Sequence, residues 1–318
     1  MNAQNSFAYE QAFCRNRGLL DAEEQRRLRR ARVALPGLGG VGGWHLTALV
    51  RLGVGAFHLA DPDVFETVNI QRQAGASAAA LGRSKTVVMA EAALAVNPEL
   101  HVKTFPEGLT AANMEQFLDG VDVVVDGLDF FALAVRRLLY PACRARGIPV
   151  VDAGPVGYGP AVLVFLPNGP TFDAYYRLEE TMTRAEMLLA FALGHTRGFG
   201  GDIAPESMDF EHGRLPALGP TCMMCGAAAA VEVLKLLCGR GTPAAVPHGF
   251  GVDFYRGRAF RLKPRPSLLR SFVGRLIRRM AFARFPALRR MHDSELAAGR
   301  LQTEAHPAAV PSPAQPSA

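Results

Sequence analysis

A short apolar run leading into a glycine-rich loop is the feature that most restricts this chain. Val33-Ala34-Leu35 runs into Gly37-Leu38-Gly39-Gly40-Val41-Gly42, a helix-like segment follows, and a second apolar strand ends at Asp61. That order is the layout of a nucleotide-binding β-α-β unit. Glycines let the backbone turn tightly and approach a phosphate, whose charge then sits at the positive end of the helix. A carboxylate roughly 20 residues further on holds ribose hydroxyls in such units, and Asp61 stands in that place. The glycines alone do not distinguish ATP from a dinucleotide, and that choice decides the function.

The pattern continues beyond this unit. Strand-like runs near Val33, 56–60, 102–105, 121–125 and 149–152 alternate with helical runs near 43–51, 84–96, 111–118 and 131–146. Alternation of this kind predicts an α/β fold: a Rossmann-like, doubly wound, mostly parallel sheet with helices on both faces. Ser84 is placed to cap its helix, and Pro98 follows the far end. A further strand is expected at 161–166. The long connection 167–218 holds one clear helix, opened by the capping box Thr183-Arg184-Ala185-Glu186. A small-residue helix from Cys222 to Leu237 comes next, then a hairpin at 249–262 turning around Tyr255-Arg256-Gly257-Arg258. The expected organisation is one domain over 1–262 with a helical lead-in at 7–30, a basic amphipathic helix within 263–292, and a disordered tail over 293–318.

Charge is unevenly spread. Arg261, Lys263, Arg265, Arg270, Arg275, Arg278, Arg279, Arg284, Arg289 and Arg290 are ten cations with no acid between them, and without them the net +6 of the chain becomes a mild acidic excess. The basic character therefore belongs to one segment, and nucleic acid is not the expected partner of the whole. Within 267–285, Leu269, Phe272, Val273, Leu276, Ile277 and Met280 recur at helical spacing with arginines opposite. That helix is expected to pack on the domain or hold a protein partner, with peripheral membrane contact as the other reading. No window reaches the roughly 18 uninterrupted apolar residues of a membrane span. The polar start Met1-Asn2-Ala3-Gln4-Asn5 lacks a signal-peptide core, so a cytoplasmic location is expected. Five cysteines, Cys14, Cys143, Cys222, Cys225 and Cys238, do not make a disulfide framework in such a chain.

Four features beside the glycine loop bear on the nucleotide: Val68-Asn69-Ile70-Gln71-Arg72-Gln73, Gly82-Arg83-Ser84-Lys85, Asp126-Gly127-Leu128-Asp129, and Phe13-Cys14-Arg15-Asn16. Ligands of a doubly wound sheet sit beyond the carboxyl ends of its strands. Asp61, Arg72, Lys85 and Asp129 are expected to converge there. Two cations and a spare carboxylate suit a triphosphate with magnesium better than a dinucleotide, whose pyrophosphate is met by backbone amides.

In this ordered set, from Phe13 to Phe165 and again over 218–239, the chain resembles the ubiquitin-activating-like adenylyltransferases of ThiF, MoeB and HesA type. The resemblance implies that Gly37, Gly39, Gly40 and Gly42 line the phosphates and Asp61 holds the ribose. Asn69, Gln71, Arg72 and Lys85 would bind the triphosphate. Asp129 would organise magnesium or the reacting carboxylate. Arg15 matches an arginine that reaches into the partner subunit's site, which implies a homodimer. The implied reaction is attack of a carboxylate on the α-phosphate of ATP with release of pyrophosphate. The carboxylate would be the C-terminus of a small carrier protein or peptide, or a small acid.

The chain departs from that pattern in four places. Residues 144–221 contain no cysteine, so a thioester relay through the long connection is not expected. One Cys-x-x-Cys pair, Cys222 and Cys225, supplies two ligands where structural zinc takes four, so no zinc is expected. Phe130 follows Asp129 where relatives often have asparagine. Pro36 removes a backbone donor just before the loop. Cys222, at a helix N-terminus, is open to a lowered pKa and a reactive role, with burial as a structural cysteine the default. Tyr175, Tyr176 and Asp173 line either a substrate cleft or ordinary loop packing. Two other functions remain on the residues alone: a non-catalytic partner half of an activating complex, and an NAD-dependent oxidoreductase.

Overall fold

A computed structural model describes residues 7–196, 199, 207–210, 212–263 and 266–305, with side chains described to residue 298. The lead-in is a single turn α1 (Tyr9–Ala12), a 3-10 turn over Cys14–Asn16, and α2 (Ala22–Arg30). Asp21 and Glu24 close a reciprocal capping box at the start of α2. The order then runs β1 (Arg32–Pro36), α3 (Gly42–Leu52), β2 (Ala56–Ala60), α4 (Lys85–Val96), β3 (His101–Phe105), α5 (Met114–Leu118), β4 (Val123–Asp126), α6 (Leu133–Ala145) and β5 (Val150–Val156). It continues through β6 (Gly159–Phe165), α7 (Phe172–Tyr176), α8 (Arg184–Thr196), α9 (Gly219–Cys238), β7 (Phe250–Asp253), β8 (Arg258–Arg261), α10 (Phe272–Arg284) and α11 (Pro286–Ala305).

One sheet carries all eight strands in the order β3-β2-β1-β4-β5-β6-β7-β8. The first five are parallel, and β6, β7 and β8 are antiparallel to their neighbours. The expected doubly wound sheet is therefore present, with the hairpin β7–β8 at one edge. Period-two alternation sends Val123 and Val125 to one face and Val124 to the other, so each face has its own core. Leu28, Leu46, Met89 and Ala229 place α2, α3, α4 and α9 on the first face. Phe117, Leu139, Tyr176 and Leu188 place α5, α6, α7 and α8 on the second. Helix α9 is long and apolar enough to cross a membrane, but half of that window is buried. It packs against α3, β5 and β6 as a core helix.

Several expectations change in detail. Ser84 stands at the N-cap of α4 without a side-chain cap bond; its hydroxyl meets Thr86 Oγ1 at 2.9 Å instead. The Thr183–Glu186 box does form, with Thr183 N donating to Glu186 Oε2 at 3.0 Å. The basic segment is two helices broken at Phe285–Pro286, because proline at 286 carries no donor for an unbroken helix. Helix α11 runs through 293–305, a stretch expected to be tail. The rest of that tail, 306–318, lies outside the described residues.

Candidate active site

Strand β1 lies between β2 and β4, and the chain leaves β1 and β4 for helices on opposite faces. A crevice opens at such a switch point, beyond the carboxyl ends of the strands. Three glycines let two loops meet there. Gly37 has φ +86°, and a Cβ on it would run into the Gly127 carbonyl. A Cβ on Gly42 would run into the Gly37 carbonyl oxygen, and one on Gly127 into the same atom. Backbone thus occupies the space a side chain would need, and the turn from β1 into α3 is a close-fitted cradle. Gly127 N donates to the Pro36 carbonyl at 3.0 Å, tying the β4 loop to it. The donor that Pro36 lacks is thus not needed on this side: its carbonyl serves the junction.

Asp61 braces the cradle from β2. Its Oδ2 accepts from Leu38 N at 2.6 Å and its Oδ1 from Asp63 N at 2.9 Å. Burial raises its pKa, with the nearby Lys85 charge and these two N–H bonds opposing. Lys85, at the first turn of α4, has a side chain only 6% exposed and pairs with the exposed Asp63 at 2.9 Å. The lysine is thus held beside Asp61 rather than loose in solvent.

The segment 67–73 crosses over the loop. Asn69 closes a 3-10 turn, Oδ1 accepting from Glu66 N at 2.9 Å. Trp44 Nε1 donates to the Arg72 carbonyl at 2.9 Å and pins the segment on α3. The Arg72 side chain passes beside Gly40, its Cδ and Nε 3.9 Å from where a Cβ there would stand, and Nη1 donates to the Val68 carbonyl at 2.9 Å. Gln71 turns outward, Nε2 donating to the Ala217 carbonyl at 3.2 Å. The buried neighbour Gln73 takes the place at the loop expected of Gln71: its Nε2 faces Gly39, and its Oε1 has no hydrogen-bond partner among the described residues.

Asp129 is exposed, and its Oδ1 accepts from Phe131 N at 2.9 Å in a local turn. Asp126 is the structural one of the two. It accepts from Arg136 Nε and from the Tyr140 hydroxyl, each at 2.8 Å. Arg136 also donates to the Leu128 carbonyl at 2.8 Å and the Asp129 carbonyl at 2.6 Å, so one guanidinium shapes the whole loop. Burial alone would lower the Arg136 pKa; the Asp126 carboxylate reverses this and holds the pKa up. Arg136 went unnoticed in the sequence, yet it shares the face Leu133, Tyr140 and Cys143 of an amphipathic helix. A cation on an apolar stripe is a signal that it is buried and paired.

Arg15 is exposed on the 3-10 turn of the lead-in. Its neighbour Asn16 binds the Leu52 carbonyl at the far end of α3. That end is opposite the crevice, so any role for Arg15 at this site requires a second copy of the chain.

Cys222 and Cys225 are buried in α9. Burial pushes the Cys222 thiol up to about 11 despite nearby Arg72, so the default reading of a buried structural cysteine holds over a reactive thiolate: desolvation outweighs the helix end. Tyr175 and Tyr176 belong to the core rather than a cleft, and Asp173 pairs with Arg137 at 2.8 Å.

A second buried polar group spans the sheet and the crossover. His195 Nε2 meets Asp152 Oδ2 at 3.0 Å, and the Tyr176 hydroxyl donates to the same oxygen at 3.3 Å. Burial opposes charge on His195, but Asp152 outweighs it and raises the pKa; burial likewise opposes charge on Asp152, and His195 outweighs it and lowers the pKa. On α3, His45 is fully buried and both ring nitrogens lack a partner among the described residues, and burial pushes its pKa down to about 4. The signs give a peaked stability profile. His195 stabilises fully below the ordinary 6.5 and loses this as pH rises through its raised pKa. Asp152 stabilises above the ordinary 3.8 and loses this as pH falls through its lowered pKa. His45 stays neutral while the unfolded chain takes up a proton, so stability falls from pH 6.5 towards 4, by about 3 kcal/mol. Thermal unfolding should show a maximum near pH 6.5. His195→Gln should flatten the alkaline limb and His45→Leu the acid limb; unchanged limbs would refute the assignment.

The ThiF family model matches residues 13–268. The tRNA threonylcarbamoyladenosine dehydratase of Haemophilus influenzae is 34% identical over 47% of this chain and 57% of that protein. The sulfur carrier protein ThiS adenylyltransferase of Escherichia coli is 28% identical over 69% of this chain and 77% of that protein. The chain spans only about half the length of several curated relatives it matches, including the Escherichia coli dehydratase at 47%. Among solved structures, Escherichia coli MccB bound to succinimide superposes with TM-score 0.57 and 18% identity, over 76% of this chain and 66% of that one. Escherichia coli tRNA N6-threonylcarbamoyladenosine dehydratase superposes with TM-score 0.54 and 24% identity, over 74% and 97%. At such identities the structures bear on the fold. The family match runs past the glycine loop through every strand of the sheet, the crossover and α9, and the chain belongs to the ThiF family.

Proposed function

We propose that this protein uses ATP to activate a carboxylate as an acyl-adenylate, releasing pyrophosphate. The observation that carries this reading is the pair of cations at the glycine cradle: Arg72 over Gly40 and Lys85 beside Asp61. A dinucleotide site has no use for both. The cradle is shaped by backbone contacts that a Cβ would block, and this suits a close-lying phosphate chain. Asp129 suits magnesium, since an exposed carboxylate with one oxygen uncommitted among the described residues is a hard donor. Bound there, the ion would neutralise phosphate charge. Two cysteines supply too few ligands for structural zinc, so the reading includes none.

In the reaction, the substrate carboxylate oxygen bonds to the α-phosphorus as the bond from that phosphorus to the bridging oxygen breaks, and pyrophosphate leaves. Charge neutralisation and positioning are the main demands. Arg72 and Lys85 meet the first; Asp61, Asn69 and the Arg136-held loop meet the second. The carboxylate is the C-terminus of a small carrier protein or peptide. This rests on relatives named for such substrates, a SAMP-activating enzyme of Haloferax volcanii and the ThiS adenylyltransferase, and on the MccB structure with N-formylated MccA. With no cysteine in 144–221, the adenylate passes directly to an outside nucleophile. Arg15 completes the site of a partner copy in a homodimer.

Exchange of radiolabelled pyrophosphate into ATP, screened with small proteins and peptides encoded beside the gene, tests this. Wild type should exchange with its substrate, and Asp129→Ala should fall about a hundredfold or more. Full exchange by Asp129→Ala would remove Asp129 from the mechanism.

A further inference from the structure

Helix α10 is apolar on two opposite sides. Its inner side packs on the core through Ile277, Ala281 and Phe282. Arg278, also inward, pairs with buried Glu186 of α8. The attachment is firm. Ser271 caps the helix, its Oγ accepting from Gly274 N at 2.9 Å, and His292 of α11 bonds Thr183 at 2.8 Å. The outer side is exposed among the described residues. Phe272, Leu276 and Met280 form one row there at four-residue spacing, with Val273 beside it; Phe272 is 76% and Met280 63% exposed. A soluble surface helix places charges along the middle of its outer face. Here the middle is apolar and the cations stand at its borders. By helical spacing Arg275 and Arg279 flank one edge of the row and Arg284 the other. None of the three has a carboxylate partner among the described residues. No acidic residue occurs between Asp253 and Asp293.

We propose that the outward face of α10 docks on an anionic lipid bilayer, with Phe272, Leu276 and Met280 entering the acyl boundary and Arg275, Arg279 and Arg284 reaching the headgroup phosphates. An apolar row with cations on both borders matches the level at which aliphatic stems are buried and guanidinium groups meet phosphate. A nucleic-acid backbone would cover the apolar row with phosphate and leave it unmatched. A folded protein partner calls for a groove to receive the row, with carboxylates at both rims. A bilayer supplies negative charge along the whole helix without any such register.

Flotation of the full-length protein with phosphatidylcholine vesicles, alone or containing phosphatidylglycerol, tests this. The protein should float with the anionic vesicles, less so as salt rises, and not with phosphatidylcholine alone. Leu276→Glu with Met280→Glu should weaken partition at least tenfold. Arg275→Gln, Arg279→Gln and Arg284→Gln together should weaken it roughly a hundredfold and flatten the salt dependence. All of these positions are on the outer face, so circular dichroism and the unfolding temperature should stay near wild type. No flotation with anionic vesicles, or equal flotation by the Leu276→Glu/Met280→Glu protein, overturns the proposal. So does light scattering in which wild type is a larger oligomer that Leu276→Glu breaks, because the row would then be a contact between copies. ATP binding is a separate readout, so failure here leaves the adenylation reading standing.

Discussion

Replacing Arg136 with leucine should destabilise the protein by about 3–5 kcal/mol, the range expected when one partner of a buried ion pair is removed. Asp126 is buried and takes two of its hydrogen bonds from this guanidinium, and the Leu128 and Asp129 carbonyls take one each. Leucine fills most of the volume but leaves the Asp126 charge with the Tyr140 hydroxyl and one backbone N–H. The loop 126–129 then loses its fixed shape, and with it the position of Asp129 and the backbone contact of Gly127 with Gly37. Chemical denaturation should show the lower stability, and ATP affinity should fall as well. The double replacement Arg136→Leu with Asp126→Asn should recover part of the stability, because the uncompensated charge is gone. A single variant as stable as wild type would mean that the pair does not hold the loop.

Arg72→Ala should separate chemistry from folding. The side chain is half-buried, its one hydrogen bond among the described residues is to the Val68 carbonyl, and the segment around it is held by Trp44 and the Asn69 turn. Stability should therefore change little. The cation beside Gly40 is lost, and removing one such preorganised charge from a transferring phosphate costs about a hundredfold to a thousandfold in rate. Pyrophosphate exchange reads this directly, and Arg72→Lys should restore part of it. Exchange unchanged in Arg72→Ala would show that the phosphates lie elsewhere.

The parts of this architecture legible in the sequence were those set by local pattern. The apolar runs of β1, β2, β4 and β5 and the helices between them follow from periodicity, and the Gly37–Gly42 loop marks the turn into α3. The Thr183–Glu186 box was readable because both partners are three residues apart. Asp126, the last residue of β4, is buried against Arg136 and Tyr140, whereas Asp129, three residues later, is exposed. What depended on distant contacts was not readable. Asp152 and His195 are 43 residues apart and meet only because α8 packs over β5. Gln71 and Gln73 are the same residue type two places apart, and only the 3-10 turn at Thr67–Asn69 decides which one faces the loop. Cys222 carried two readings in the sequence, and its burial, with the sulfur 3.6 Å from where a Cβ on Gly40 would stand, is the default one of a structural cysteine.

Calorimetric titration of the full-length protein with ATP and magnesium, and separately with NAD, shows directly whether the β1–β4 crevice is an ATP site. One ATP should bind per chain, with affinity reduced in Arg72→Ala and in Lys85→Ala, and NAD should give no heat. Binding of NAD, or absence of ATP binding by a protein whose circular dichroism and unfolding are normal, would contradict it; the second result would point to a non-catalytic partner half.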